Sequence, residues 1–470
     1  MNERASVILK RGRAPRLEQG HPWIYENETE RMEGAAEPGD LVDVYDHRAR
    51  YLATGYWNPA SQIQVRIVAY TPLEAMDRAF FEERLVRCRE HRARFLPGVS
   101  DCRLVYGEAD DLPGLTVDRY GGVLVVQIVT LGMDQRRAAI VEALIEVFRP
   151  EAIYERSDLP VRALEGLEAR TGPLYGEAPR EVTIIENGLT MEVDIESGQK
   201  TGYFYDQRDN RAAIAPLMLG WGARSGIRLA PRPGSEADAQ ASEEREPASS
   251  ALVPVNRSGK EVTFPYWDGA TVLECFAHTG SFTMHACRYG AKRVTCLDVS
   301  AHALETAARN ARANGFADRI DFVQADAFAY LREQVKGLEE RRRRAPGAAD
   351  KADTSKPLAA AGRTWDVVIL DPPAFAKSKG ALAGARRGYK DINLQGMKLV
   401  NEGGYLVTAS CSYPMKPELF LETVQEAARD AGKLLRMVHW QGAGKDHPRL
   451  LAASEGNYLK FAIFEVRSRA

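Results

Sequence analysis

Apolar and polar positions alternate in short runs over residues 1–72. Ser6-Val7-Ile8-Leu9, Leu41-Val42-Asp43-Val44-Tyr45, Tyr51-Leu52-Ala53-Thr54-Gly55-Tyr56 and Gln62-Ile63-Gln64-Val65-Arg66-Ile67-Val68 read as short strands, several with the two-residue period of half-buried ones; Pro38-Gly39-Asp40 and Asn58-Pro59 supply turns. They predict a small β-barrel module. The period then lengthens. Phe80, Phe81, Leu85 and Cys88 fall at helical spacing among Arg and Glu, so residues 75–97 suit a helix. Strands over 103–106, 115–120 and 123–129, a helix around 134–148, and strands near 152–156, 182–186 and 189–195 predict a compact α+β segment over 73–196. From residue 270 strands and helices alternate. Thr271–Phe276, Val294–Asp298, Ile320–Val323, Val367–Leu370 and Gly404–Ala409 are the strands, which implies a parallel sheet with helices on both faces. Two stretches break the pattern. Residues 225–262 are rich in Pro, Ser, Glu and Ala, and residues 337–363 carry Arg341-Arg342-Arg343-Arg344 before small and charged residues. Both are expected to be mobile loops.

Composition narrows the class. The 470 residues suffice for two or three domains, and 63 Lys and Arg nearly balance 65 Asp and Glu, so any nucleic-acid signal must come from local patches. One such patch is N-terminal: Arg4, Lys10, Arg11, Arg13 and Arg16 share sixteen residues with a single acid, Glu3, and read as a solvated arm or an RNA contact. Six cysteines without a CxxC pair argue against a zinc site or a disulfide framework and fit a reducing compartment. No apolar run approaches the roughly 18 residues of a bilayer span, and no signal-peptide core is present, so a soluble, cytoplasmic protein is expected.

The strand ends carry the chemistry. Glu274, Asp298, Asp326 and Asp371 stand at or just beyond four successive strands, where an acid is hard to explain as core because carboxylates are rarely buried unpaired. Ligands of open α/β sheets bind beyond the carboxyl ends of the strands. The turn Phe276-Ala277-His278-Thr279-Gly280 lets backbone approach a ligand; it is not a GxGxxG fingerprint, and no phosphate-cradling lysine motif is present. The set points to a nucleoside cofactor with positive charge, and S-adenosylmethionine (SAM) fits. Upstream, Lys200, Thr201, Gln207 and Arg208 lie in a polar, aromatic segment expected to close over the cofactor, although Thr201 or Asp206 could simply cap the helix that follows. Cys411, between Ser410 and Ser412, ends the strand Tyr405–Ala409, about forty residues after Asp371-Pro372-Pro373-Ala374-Phe375. A thiol there can add to an electron-poor carbon and later leave; a half-buried inert cysteine is the bland alternative. Lys377, Lys379, Arg386, Arg387 and Lys390 place five cations in fourteen residues, a candidate phosphate-binding surface.

Gly202–Arg211, Glu274–Gly280, Asp371–Lys379 with Gly388-Tyr389-Lys390-Asp391-Ile392-Asn393, and Ser410-Cys411-Ser412 together resemble the bacterial 23S rRNA cytosine-C5 methyltransferases of the large ribosomal subunit. Asp446-His447-Pro448 and Glu455–Lys460 fit the same pattern, and Gly20-His21-Pro22-Trp23-Ile24 with residues 6–72 looks like a PUA module. The resemblance implies an α/β fold: a PUA RNA-binding domain over 1–72, a central α+β domain over 73–196, and a Rossmann-like class I methyltransferase domain over 197–470. It implies that Lys200, Thr201, Gln207, Glu274, Phe276, Thr279, Gly280, Asp298, Asp326 and Asp371 hold SAM. It makes Cys411 the nucleophile that adds to C6 of cytosine, assisted by Asp371, with Phe375 stacking on a flipped base. Lys10, Arg11, Arg13, Lys377, Lys379, Arg387, Tyr389 and Lys390 would touch RNA. The implied partner is 23S rRNA, naked or in an assembly intermediate, with a homodimer as a further expectation. Many such enzymes carry a second cysteine beside the Asp-Pro-Pro strand; this loop has none, which leaves the acceptor of the C5 proton unassigned. Competing readings are methylation of an exocyclic amine or ring nitrogen of an rRNA purine, and a non-catalytic ribosome-assembly factor.

Overall fold

The computed structural model describes residues 4–198, 201–219, 227–231, 252–261, 268–344, 362–376 and 378–469. It has two compact units: Met1–Asp209 with Ala443–Asn457, and Asn210–Gly442 with Tyr458–Ala470.

In the first unit, β1 (Ser6–Leu9), β2 (Trp23–Tyr25), β3 (Thr29–Glu33), β4 (Leu41–Tyr45), β5 (Tyr51–Trp57) and β6 (Ile63–Ala69) form one sheet in the order β2-β6-β5-β4-β1-β3. Their alternation buries Val7, Leu9, Val42, Val44, Val65 and Ile67 on one core. The basic N-terminus is therefore not a free arm. β1 lies between β3 and β4, Arg4 is held by Asp43 and the carbonyls of Leu73 and Glu74, and Arg16 pairs with Glu28. Lys10, Arg11 and Arg13 remain exposed. A second sheet, β7 (Arg103–Tyr106), β8 (Leu115–Tyr120), β9 (Val123–Ile128), β10 (Ala152–Ser157) and β11 (Arg170–Tyr175), runs β11-β10-β9-β8-β7. Helices Arg78–Phe95 and Arg137–Phe148 contribute Leu85, Cys88, Ile140 and Leu144 to its core. The Tyr56 hydroxyl reaches from β5 to the Pro113 carbonyl at 2.8 Å and Thr130 Oγ1 at 2.9 Å, so both sheets share buried polar contacts. β12 (Glu181–Glu186) and β13 (Leu189–Asp194) form a hairpin.

The second unit opens with a small antiparallel pair, β14 (Arg228–Pro231) and β15 (Leu252–Val255). Its main sheet has seven strands: β16 (Thr271–Cys275), β17 (Arg293–Asp298), β18 (Ile320–Gln324), β19 (Trp365–Leu370), β20 (Val400–Ser410), β21 (Lys433–Gln441) and β22 (Lys460–Ser468), in the order β18-β17-β16-β19-β20-β22-β21. The first five are parallel; β22 runs antiparallel to both β20 and β21. The order reverses between β16 and β19, and in open α/β sheets that switch point is where a ligand crevice forms. Helices Ser281–Arg288, Ala301–Ala313, Ala327–Arg344, Leu382–Lys398 and Pro417–Asp430 connect the strands.

Two expectations change here. The stretch 225–262, expected as a loop, holds the β14–β15 pair in its described part. Residues 337–344 continue the helix Ala327–Arg344, with Leu338 1 % exposed. The four arginines form its last turn, where cations are favoured by the negative end of the helix dipole. The rest of both stretches lies outside the described residues, apart from 256–261 and 362–363. Among the described residues no helix is long and apolar enough to cross a membrane.

Candidate active site

The crevice at the switch point is built from strand ends. Glu274 in β16 is 2 % exposed, and the hydroxyl of Thr283 in helix Ser281–Arg288 donates to its carboxylate. Burial pushes the Glu274 carboxyl up to about 8, opposed by the Thr283 bonds and reinforced by the negative charges of Asp371 and Asp298. The next turn is tightly held. Phe276, His278 and Gly280 have φ of 64°, 49° and 77°, so two side-chain-bearing residues adopt the left-handed region. The His278 amide donates to Asp298 Oδ2 at 2.8 Å and the Ala277 amide to the Leu297 carbonyl at 3.0 Å, which fixes the turn to the end of β17. A Cβ on Gly280 would meet Ala307 Cβ at 3.0 Å, so a side chain there would crowd helix Ala301–Ala313. Thr279 Oγ1 is buried with no hydrogen-bond partner among the described residues. Asp298 also accepts from the Ser300 amide at 2.9 Å. Asp326 is exposed and caps helix Ala327–Arg344 through the Ala329 amide at 2.9 Å, and Asp371 is half-buried just after β19. An orphan buried hydroxyl, a strained glycine turn and carboxylates at successive strand ends fit a cationic ligand with hydroxyl groups.

Not all the expected cofactor residues join this set. Lys200 lies outside the described residues. Thr201 and Gln207 fall in the first unit. The Thr201 hydroxyl is fully buried, donating to Asp118 Oδ2 at 2.6 Å and accepting from the Tyr120 hydroxyl at 3.0 Å. Gln207 is 4 % exposed in the turn Tyr205–Gln207. Arg208 pairs with Asp446 at 3.3 Å and Glu186 at 3.5 Å. For Thr201 and Arg208, the polarity that reads as a cofactor lid serves the first unit's own buried network.

Cys411 leaves the end of β20. Five of the six cysteines are buried, and Cys411 is the exception. Burial raises the thiols of the others, to about 12 for Cys102 and Cys287 and higher for Cys88, Cys275 and Cys296. Cys411 Sγ lies 3.8 Å from the Pro372 carbonyl, in the loop that Asp371 opens on the neighbouring parallel strand. Ser412 ties the two loops together: its Oγ accepts from the Ala376 amide at 3.1 Å and bonds the Tyr389 hydroxyl at 3.0 Å. Phe375 packs on Tyr389 with ring centres 4.7 Å apart, and also meets Phe328 and Phe276 at 5.7 and 6.4 Å. An aromatic cluster thus links the glycine turn to the cysteine loop.

Known proteins resemble this chain in sequence and fold. Residues 7–70 match the PUA-like domain and residues 272–336 a methyltransferase domain. A protein of Klebsiella pneumoniae named ribosomal RNA large subunit methyltransferase I is 36 % identical over 97 % of this chain and 96 % of its own length. The protein of that name from Shewanella amazonensis is 37 % identical over 98 % and 99 %. This chain belongs to the ribosomal RNA large subunit methyltransferase I family. Solved structures share its fold: a candidate SAM-dependent methyltransferase from Streptococcus mutans has a TM-score of 0.69 at 19 % identity, covering 98 % of this chain and 99 % of its own. SMU.776, a candidate methyltransferase complexed with S-adenosylhomocysteine, scores 0.71 at 19 % identity with the same coverage.

For this member of the methyltransferase I family, the residues expected to touch RNA divide sharply. Tyr389 is fully buried and braces Ser412, so it is a core residue rather than an RNA contact. Lys390 pairs with Asp430 at 2.8 Å and Arg386 with Glu426 at 2.7 Å, both on helix Pro417–Asp430, which neutralises two of the five cations of the expected basic stretch. That stretch is helical from Leu382 onward, so Arg386 and Lys390, one turn apart, share the face turned to helix Pro417–Asp430, and Arg387 lies off it. Arg387 is exposed. Lys377 and the Lys379 side chain lie outside the described residues. Sequence reading assigned no role to Thr283, Ser412 or Lys460. Lys460 sits opposite Ser410 on β22, 1 % exposed, and a lysine opening an apolar strand was its only local signal.

Proposed function

We propose that this chain methylates carbon 5 of a cytosine in large-subunit ribosomal RNA, using SAM, with Cys411 as the nucleophile. The observation that carries this reading is that Cys411, alone among six cysteines, is not buried and stands beside the Asp371-Pro372 loop, next to the sheet's switch point. Glu274, the turn Phe276–Gly280, Asp298, Asp326 and Asp371 are the residues assigned to hold SAM, and the Thr279 hydroxyl is free to serve it. Bound there, the cofactor supplies an electrophilic methyl group on a positively charged sulfur.

Carbon 5 of cytosine is a poor nucleophile on its own. Addition of the Cys411 thiolate to C6 pushes electron density onto C5 and makes it one. Asp371 assists the addition: protonated, it donates to N3 and draws electrons from the ring as the thiolate adds; as a carboxylate, it accepts from the exocyclic amine and holds the base. Loss of the C5 proton then restores the double bond and releases Cys411. Phe375, with one face already on Tyr389, offers its remaining surface to the flipped base. The first unit, with its PUA-like module over 7–70, holds the RNA.

The test is RNA containing 5-fluorocytidine, in which fluorine replaces the proton that must leave. A covalent adduct mapped to Cys411 is the expected result, together with loss of methyl transfer in Cys411→Ser. An active enzyme that forms no adduct, or a Cys411→Ser variant that keeps its rate, would replace this reading with methylation of a purine amine or ring nitrogen.

A further inference from the structure

Lys460 is a buried lysine beside the proposed nucleophile. Its Nζ donates to the Ser412 carbonyl at 2.7 Å and the Tyr458 carbonyl at 2.6 Å, and its side chain is sealed from solvent. No carboxylate pairs with it among the described residues. Burial holds its ammonium down, to about 8; the negative charge of a Cys411 thiolate raises it and nearby Lys416 lowers it. An amine near neutrality is an unusual strand anchor, because a buried cation without a counter-charge is costly. Its valences explain the choice. A neutral amine has two N–H bonds and one lone pair, so serving both carbonyls leaves the lone pair over; the ammonium form leaves one N–H over.

We propose that Lys460 is a positioning residue whose buried ammonium, held at the cysteine loop, favours the thiolate form of Cys411. This rests on Cys411 being the nucleophile. The Sγ–H bond breaks with its proton passing to solvent, and the fixed ammonium offsets the charge of the thiolate that remains. The thiolate then adds to C6. When C6–Sγ breaks at the end of the cycle, the same ammonium offsets the charge of the departing thiolate. The two carbonyl bonds hold Nζ at the cysteine loop throughout, and they make the ion pair local to that loop. The other titratable groups around the pair are Lys416, which follows the loop; Tyr389 on helix Leu382–Lys398, bonded to Ser412; and Asp371, one residue before Pro372.

The test is the pH dependence of Cys411 alkylation by iodoacetamide in the cofactor-free full chain, with Cys411→Ser as the blank. The other five cysteines are buried, so the labelling difference reports one thiol. In Lys460→Met the profile is expected to move to higher pH, slowing alkylation roughly tenfold or more at pH 7 while the rates converge at high pH, since one pKa unit is a factor of ten in thiolate. An unchanged profile in a folded Lys460→Met variant overturns the proposal. If that variant does not fold, Lys460→Arg decides: a permanent cation predicts a profile at or below that of the parent, and an upward shift overturns the idea. This readout needs no RNA. The thiolate stabilisation can therefore fail while the fluorocytidine adduct forms, or hold while no adduct forms, and each outcome counts against one reading only.

Discussion

Glu274 shows how much one residue can carry. It was legible as an acid closing an apolar run, because Val272, Leu273 and Cys275 around it leave no other reason for a charge. Its protonation state was not legible, since that depends on burial and on Asp298 and Asp371 converging from other strands. A carboxyl raised from the ordinary 4.5 to about 8 binds a proton in the folded state that the unfolded state lacks between those values. Stability from this group is complete below pH 4.5 and lost as pH rises through 8. A cation in the crevice reverses the preference and favours the carboxylate. Glu274→Gln is therefore expected to raise the melting temperature of the cofactor-free protein at pH 8 and to weaken SAM binding at least tenfold. Calorimetry should also show parent affinity rising between pH 6 and 8 with release of a proton, and no such dependence in the variant. Equal affinities for the two proteins would remove Glu274 from the site. Lys460 was illegible for a related reason: a lysine at the start of a strand reads as a solvated end, and only the pairing of β22 with β20 brings it to Ser412.

At the scale of elements, the period of apolar residues located the parallel strands and the long helices well, because each buries a face against a core. It missed β2, β3, β11, β14, β15 and the C-terminal pair β21 and β22. β2 has only three residues, and β11 is mostly exposed, so neither presents enough buried positions to show a period. Composition misread residues 337–344, where Leu338 supplies the buried face and arginines suit a helix end. What positions the chemistry is how loops from different elements are stitched, and Ser412 makes the principal stitch. Ser412→Ala would leave the Ala376 amide without its side-chain partner and remove one of the bonds of the Tyr389 hydroxyl, which keeps those to Ser410 and Phe375. The expected cost is about 1–3 kcal/mol, read as a lower melting temperature. Methyl transfer should fall through kcat more than KM, because the Cys411 loop loosens while the RNA-holding surface is untouched. A variant with parental stability and kcat would mean that the loops are held by other contacts.

For the whole molecule, linear reading and folded units part company. The three segments expected along the chain become two compact units, and residues 443–457 return to the first after the Rossmann-like sheet is nearly complete. Asp446 shows why: buried, it bonds the Arg103 amide at 3.2 Å, Arg208 at 3.3 Å and His447 at 2.8 Å, which holds its carboxyl far below the usual range. Partners so distant in sequence leave no local signature. Charge is also decided at this scale. With a net charge of −2 the chain has no global pull on RNA, so binding must draw on whichever cations the fold leaves unneutralised. Arg4, Arg16, Arg386 and Lys390 are consumed by acids, whereas Lys10, Arg11 and Arg13 are exposed on the PUA-like module; the Lys10 ammonium bonds the Asn27 carbonyl at 2.9 Å. Removing one phosphate-binding cation should reduce the slope of log affinity against log salt by about 0.7–0.9. Replacing all three by alanine is expected to weaken binding to 23S rRNA, to flatten that slope by roughly 2, and to raise KM while leaving kcat at saturating RNA and the melting temperature near their parental values. An unchanged slope would move the RNA-holding surface elsewhere, to cations such as Arg387.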